Sequence, residues 1–189
     1  MSNVLSITRH CKTVVAGWLL LVIPLVAVAQ ERPIQFKGQV SLTSDAPLEL
    51  IKASSRSLIG SIDPSNNQFA FLLRVKTLTG FNSGLQQEHF NEKYMESEKF
   101  PNASFSGKII DPINLSANGV YEVRAKGKLE IHGQSQVRII KCTLTVRDGS
   151  LSVASEFTVP LVDHNIIIPR IVSEKIASEI DINLSASTH

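Results

Sequence analysis

His89 and Glu92 lie three residues apart in a polar segment, Leu85 to Pro101, and that spacing puts both side chains on one face of a helix. An imidazole and a carboxylate so placed can ligate a metal. The protease versions of this chemistry fail on the residues present. Lys93 stands where the inverted zincin pattern needs a second histidine, and H-E-x-x-H is absent. His132, His164 and His189 fall at a strand end, in a loop and at the C-terminus, so nothing local completes a ligand set. The alternative role for His89 is that of a polar or capping residue. There is no G-x-S-x-G elbow, no Cys/His pairing in the local pattern and no glycine-rich phosphate loop. No catalytic residue and no cofactor are therefore assigned. Phe81, Phe90, Tyr94 and Phe100 lie in or beside the same segment, where they either pack a helix onto the body of the fold or touch a ligand.

The elements that must position this segment are strands. Ile34, Phe36, Val40 and Leu42 alternate with polar neighbours, as do Phe69, Phe71, Leu73 and Val75. Tyr121, Val123, Ala125, Gly127, Leu129 and Ile131 alternate with Glu122, Arg124, Lys126, Lys128 and Glu130, which gives one wet and one buried face. Leu151, Val153, Phe157 and Val159 repeat the pattern, and Ile180, Ile182 and Leu184 end it. Asp63-Pro64 and Asp111-Pro112 open loops, while Asn118-Gly119 and Asp148-Gly149 carry the residues of type I′ hairpin turns. Val137 and Ile139 lie on odd positions but Ile140, Cys142, Leu144 and Val146 on even ones, so a bulge near Ile139 is expected. The fold class is all-β. About eight antiparallel strands, each with one apolar face, must close into a barrel or pair as two sheets, with the short helix near Leu85-Met95 laid across one mouth. The inward residues either fill such a barrel or line a lumen for one ligand.

The first residues have the pattern of a cleaved leader. Arg9 and Lys12 are basic, Val14 to Val26 is apolar, and Ala27-Val28-Ala29 supplies the small-x-small site. Residues 1–29 are thus expected to be a signal peptide, an uncleaved membrane anchor being the alternative, and 30–189 one domain. Removing Arg9 and Lys12 from 19 basic and 17 acidic residues leaves 17 of each. A neutral chain without a basic run excludes nucleic acid as an evident partner. Cys142 is then the only cysteine, which excludes an internal disulfide and suits a small buried apolar residue. Asn102-Ala103-Ser104, Asn114-Leu115-Ser116 and Asn183-Leu184-Ser185 match the glycosylation pattern, which matters only in a eukaryotic secretory pathway.

Four stretches in order resemble one family. Glu88-His89-Phe90-Asn91-Glu92-Lys93-Tyr94-Met95-Glu96-Ser97-Glu98-Lys99-Phe100-Pro101 runs into the strand Ala103-Ser104-Phe105-Ser106-Gly107-Lys108-Ile109. Leu129-Glu130-Ile131-His132-Gly133-Gln134-Ser135 and Phe157-Thr158-Val159-Pro160-Leu161-Val162-Asp163-His164-Asn165-Ile166 follow, and Ser44-Asp45-Ala46-Pro47-Leu48 precedes. Together, across Phe36 to Ser185, they resemble the YceI-like family of exported lipid-binding proteins. The resemblance implies an eight-stranded lipocalin-like antiparallel barrel whose apolar lumen holds a long isoprenoid chain, as in polyprenyl phosphates or isoprenoid quinones. It implies a bacterial periplasm or other export destination. A monomer or homodimer is expected, with an apolar lipid as partner and transient contact with a membrane left open. Alternation and resemblance together nominate Phe69, Phe71, Leu73, Tyr121, Val123 and Phe157 inside the lumen, and Phe81, His89, Phe90 and Tyr94 at its mouth. Gln86 and Gln87 stand where many members carry a basic residue, Gln134 where an apolar one is usual, and His164 where Tyr or Phe is common. The first of these departures leaves the mouth without a nearby cation and favours a neutral head group such as a quinone. A structural barrel filled by its own side chains, with no ligand, is the alternative.

Overall fold

Each strand has one apolar face to hide, and in the computed structural model, which describes residues 32–188, those faces are hidden by closure. The expected leader lies outside the described residues. Eight strands form a closed antiparallel barrel in which every strand pairs with its sequence neighbours and the last pairs with the first. They are β1 (Ile34–Asp45), β2 (Leu50–Asp63), β3 (Gln68–Arg74), β4 (Asn102–Ile109), β5 (Gly119–Ile131), β6 (Gln134–Arg147), β7 (Ser150–Pro160) and β8 (Glu179–Ser187). Closure removes the exposed edges that an open sheet would present. The helix α1 (Gly84–His89) lies between β3 and β4 and widens into a π turn over Phe90–Tyr94. Among the described residues no helix is long and apolar enough to cross a membrane.

The connections sort by length to the two ends. The end we call lower carries short or tightly tied links: Asp63 to Gln68, the 110–118 loop, and the Asp148-Gly149 turn. Asp148 (φ 49°) and Gly149 (φ 81°) both adopt positive φ, as a type I′ hairpin requires. The upper end carries α1, the turn from β1 to β2, the hairpin from β5 to β6, and the long 161–178 connection, with 3-10 turns at Leu161–His164 and Arg170–Val172.

Two local expectations are corrected. Asn118-Gly119 is not a hairpin turn. Gly119 begins β5, and the Asn118 amide exchanges hydrogen bonds with Asp148 (3.1 and 2.9 Å), bracing the neighbouring turn. The β5–β6 hairpin is instead made by His132 (φ 51°) and Gly133 (φ 68°). Nor does β6 bulge near Ile139: it pairs with β5 in unbroken register from Gly119↔Val146 to Ile131↔Gln134. Its even positions face inward throughout, so Val137 and Ile139 are exposed on the outer wall. The inward places nearest the hairpin go to Gln136 and Arg138, which bond to Asp163 and Thr158 where β6 and β7 no longer pair. The register shift of the barrel lies in β1, between Gly38 and Val40.

A lid over a half-filled barrel

The lower half of the interior is filled by its own side chains. The Phe69 ring lies 4.9 Å from Phe105 and 6.4 Å from Phe71, and Phe71 lies 5.9 Å from Phe36. Such tilted pairs add to the burial of the rings themselves. Ile113 and Leu115 of the 110–118 loop pack onto this cluster, and Tyr121 donates a 2.9 Å hydrogen bond to the Ala117 carbonyl. A void of about 60 Å3 lies among them, beside Phe157 and Cys142.

The upper half is open. A cavity of about 510 Å3, within the range of small-molecule sites, begins above Val40 and Leu73 and runs to the upper mouth. Val159, Ile180 and Ile182 form one wall, Ala103 and Ile131 another, and Leu161, Ile166 and Ile168 of the long connection a third. Its roof is the helical segment. Ser83 caps α1 by accepting the Gln86 amide at 3.1 Å, while the Gln86 side chain accepts the Asn82 amide at 3.0 Å. The rings of Phe81 and Phe90 meet 4.8 Å apart, and both face the cavity.

The roof is tied down by polar groups. Gln86 Nε2 and Asn82 Nδ2 both donate to Glu49 Oε1, at 3.0 and 3.2 Å, linking α1 to the β1–β2 turn. In the π turn Asn91 donates to Gln87 O and accepts from the buried Ser97 hydroxyl, each at 3.0 Å. Glu96, at φ 42°, presents Oε2 to His132 Nε2 at 2.8 Å, and His132 Nδ1 meets the His164 carbonyl at 3.0 Å. Fixed at both nitrogens, His132 holds the left-handed conformation that the β5–β6 turn needs. Gly133 has no substitute, because a Cβ there would stand 2.4 Å from the Phe100 ring. His164 is wholly buried, with Nδ1 3.1 Å from the Gln134 carbonyl.

The nominated residues divide between the two halves. Leu73, Phe81, His89, Phe90 and Tyr94 line the upper cavity. Phe69, Phe71, Val123 and Phe157 border the small lower void, and Tyr121 packs into the lower core. One expectation is overturned: the mouth does have a cation. Lys175, from the long connection, lines the cavity together with Glu49, Gln86, His89, Ser83 and Ser44. Its position is set by tertiary closure, since Ser44 Oγ accepts the Ala177 amide at 2.9 Å, from the far end of the chain. Among the described residues no group of three or more His, Cys, Asp or Glu side chains is placed to hold a metal ion.

Cys142, beside the lower void, has its thiol pushed up from 9.0 to about 11, chiefly by burial, against a lowering by the Ala125 backbone. Below pH 9.0 folded and unfolded chains both keep this proton; between 9.0 and about 11 only the folded chain does, so stability falls as pH rises through that window. The urea midpoint should therefore drop across it, and a Cys142→Ala variant should show a shallower drop. At neutral pH the native thiol should resist iodoacetamide until the protein is unfolded.

A family model described as YceI-like domain matches residues 31–188. The chain belongs to the YceI-like family. Among curated proteins no match is found. Among solved structures, the YceI-like barrel is similar to a polyisoprenoid binding domain from Saccharophagus degradans implicated in plant cell wall breakdown. That likeness has a TM-score of 0.68 at 10% identity and covers 82% of this chain and 98% of the other. Burkholderia cenocepacia BcnA gives 0.67 at 14%, covering 80% and 96%, and the Campylobacter jejuni YCEI protein gives 0.54 at 14%, covering 70% and 79%. At such identities the likeness speaks for the fold alone. It agrees with the closed eight-stranded barrel and short helix that the YceI-like sequence led us to expect.

Proposed function

We propose that this protein holds one long apolar lipid of isoprenoid type, an isoprenoid quinone or a polyprenyl lipid, in the upper cavity and does no chemistry on it. The observation that carries this reading is the blind apolar cavity beneath an aromatic roof. A barrel serving only as a scaffold would have no reason to stop filling itself halfway, since each large apolar side chain added to the core contributes about 1.5–3 kcal/mol. Family membership supports the reading, as does the description of the Saccharophagus degradans relative as polyisoprenoid-binding. Affinity comes from burying the apolar chain, at about 25 cal/mol per Å2, less the cost of ordering it.

The polar residues gather where a head group would sit. Lys175, His89, Gln86 and Ser83 offer donors, and Glu49 an acceptor. Lys175 makes an anionic head compatible with the mouth, so the preference for a neutral head no longer follows from Gln86 and Gln87. The leader pattern of residues 1–29 supports export, and the YceI-like resemblance a bacterial periplasm, where the protein would store, carry or protect such lipids in the cell envelope.

Solvent extraction of protein purified from its own host, followed by mass spectrometry, tests the proposal. One prenyl lipid per protein is the expected result. Repeated lipid-free preparations that also fail to take up added quinone or polyprenol would overturn it.

A further inference from the structure

The outer surface has an uneven distribution of apolar residues. The three most exposed large ones, Ile171 (91%), Ile167 (83%) and Val162 (76%), all lie on the long connection at the upper mouth. Leu48 and Leu85, at 67% and 60%, join them at this end, while Val120, Val137, Ile139 and Ile59, also more than half exposed, are scattered over the strands. Each of the five either lines the cavity or adjoins in sequence a residue that does: Leu85 itself, Leu48 beside Glu49, Val162 beside Leu161, Ile167 between Ile166 and Ile168, and Ile171 beside Val172. The Leu48 amide bonds to the Glu174 carbonyl at 2.8 Å, so the β1–β2 turn and the long connection form one continuous edge. Exposed apolar surface gathered in this way marks a binding face.

Resting on the reading of the cavity as a lipid site, we propose that this edge docks on a lipid bilayer, with Ile167 and Ile171 inserted at the interface and the cavity mouth held against the acyl region. The occupant follows from what the face surrounds. An apolar guest can enter a cavity with an apolar surround without crossing water only if the surround itself leaves water, and a bilayer both provides that environment and contains the guest. Arg170 lies between the two isoleucines and Lys175 follows Ile171, with long side chains suited to reach phosphate groups while the isoleucines insert. Glu174, exposed between them, offsets part of that charge, so apolar insertion carries most of the binding.

Flotation of the full mature chain with vesicles of phosphatidylethanolamine and phosphatidylglycerol tests the docking separately from the cargo. The paired variant Ile167→Glu with Ile171→Glu should lower the vesicle-bound fraction at least about tenfold, the factor set by about 1.4 kcal/mol. Neither residue lines the cavity, so uptake of a polyprenol offered from cyclodextrin should be unchanged. A second pair on the outer wall, Val137→Glu with Ile139→Glu, should float as the wild type does. Wild type that does not float, or an Ile167/Ile171 variant that floats equally well, overturns the proposal. So does a variant that merely turns a dimer into a monomer by light scattering, because the face then belongs to a second copy. Flotation lost in that variant while no form takes up polyprenol leaves the docking in place and removes the isoprenoid cargo.

Discussion

Replacing Ala103 by Phe should abolish uptake of a polyprenol or quinone while leaving the barrel folded. Ala103 is the smallest side chain on the cavity wall, paired across β3–β4 with Leu73, which lines the same space. A phenyl ring at this position has open volume before it, so it displaces few packed atoms. Overpacking a filled core costs about 1–3 kcal/mol, and here most of that cost is avoided. The ring occupies the space a lipid chain would take, and each methylene so excluded forfeits about 0.8 kcal/mol. Loss of two or three methylenes already weakens binding more than about tenfold. Quenching of a fluorescent isoprenoid reads the affinity, and thermal unfolding reads the fold. Unaltered uptake would place the lipid elsewhere.

Phe36→Ala should do the reverse. Phe36 is 2% exposed in the filled lower half, and its ring meets Phe71. Truncating a buried phenylalanine costs about 3–5 kcal/mol, because the transfer energy is lost and the neighbours collapse only partly into the gap. For a domain of this size the melting point should fall by roughly 2–4 °C per kcal/mol. Phe36 does not line the upper cavity, so ligand stoichiometry below the new melting point should match the wild type. Together the two variants separate the half that stabilises the barrel from the half that binds. A Phe36→Ala protein that lost ligand at a temperature where it is still folded would show that the halves are coupled.

Closure and inward faces were legible in the sequence, because alternation reports directly which side chains share a face. Depth along the barrel axis was not. Phe69, Phe71 and Leu73 follow one another on the same face of β3, yet the first two border the filled end and the third the open cavity. Period-two patterning carries no information about which end a residue occupies, or about how far the opposite wall stands. Val137 and Ile139 misled for a related reason: apolar residues on an outer face imitate a change of register, and only the pairing with β5 shows that β6 runs straight. Asn118-Gly119 has the composition of a turn, but its amide serves the turn next door. The β5–β6 turn falls to His132-Gly133, whose partners Glu96 and His164 lie more than thirty residues away. Lys175 was missed at the mouth because the long connection that brings it there follows no period. By contrast, the helical segment was legible as a polar stretch among alternating strands, and Phe90 within it forms the roof with Phe81 beside it.

The phenylalanines and the 110–118 loop stop the lower end like a cork. With its base filled, the cavity reaches solvent at the upper mouth, so a lipid held as proposed would enter and leave there, and the end that goes in first comes out last. A linear guest is thereby held in one polarity. Passage straight through, from a donor at one pole to an acceptor at the other, is closed off by geometry. If the protein carries lipid as proposed, turnover is an exchange in which donor and acceptor visit the same doorway in turn.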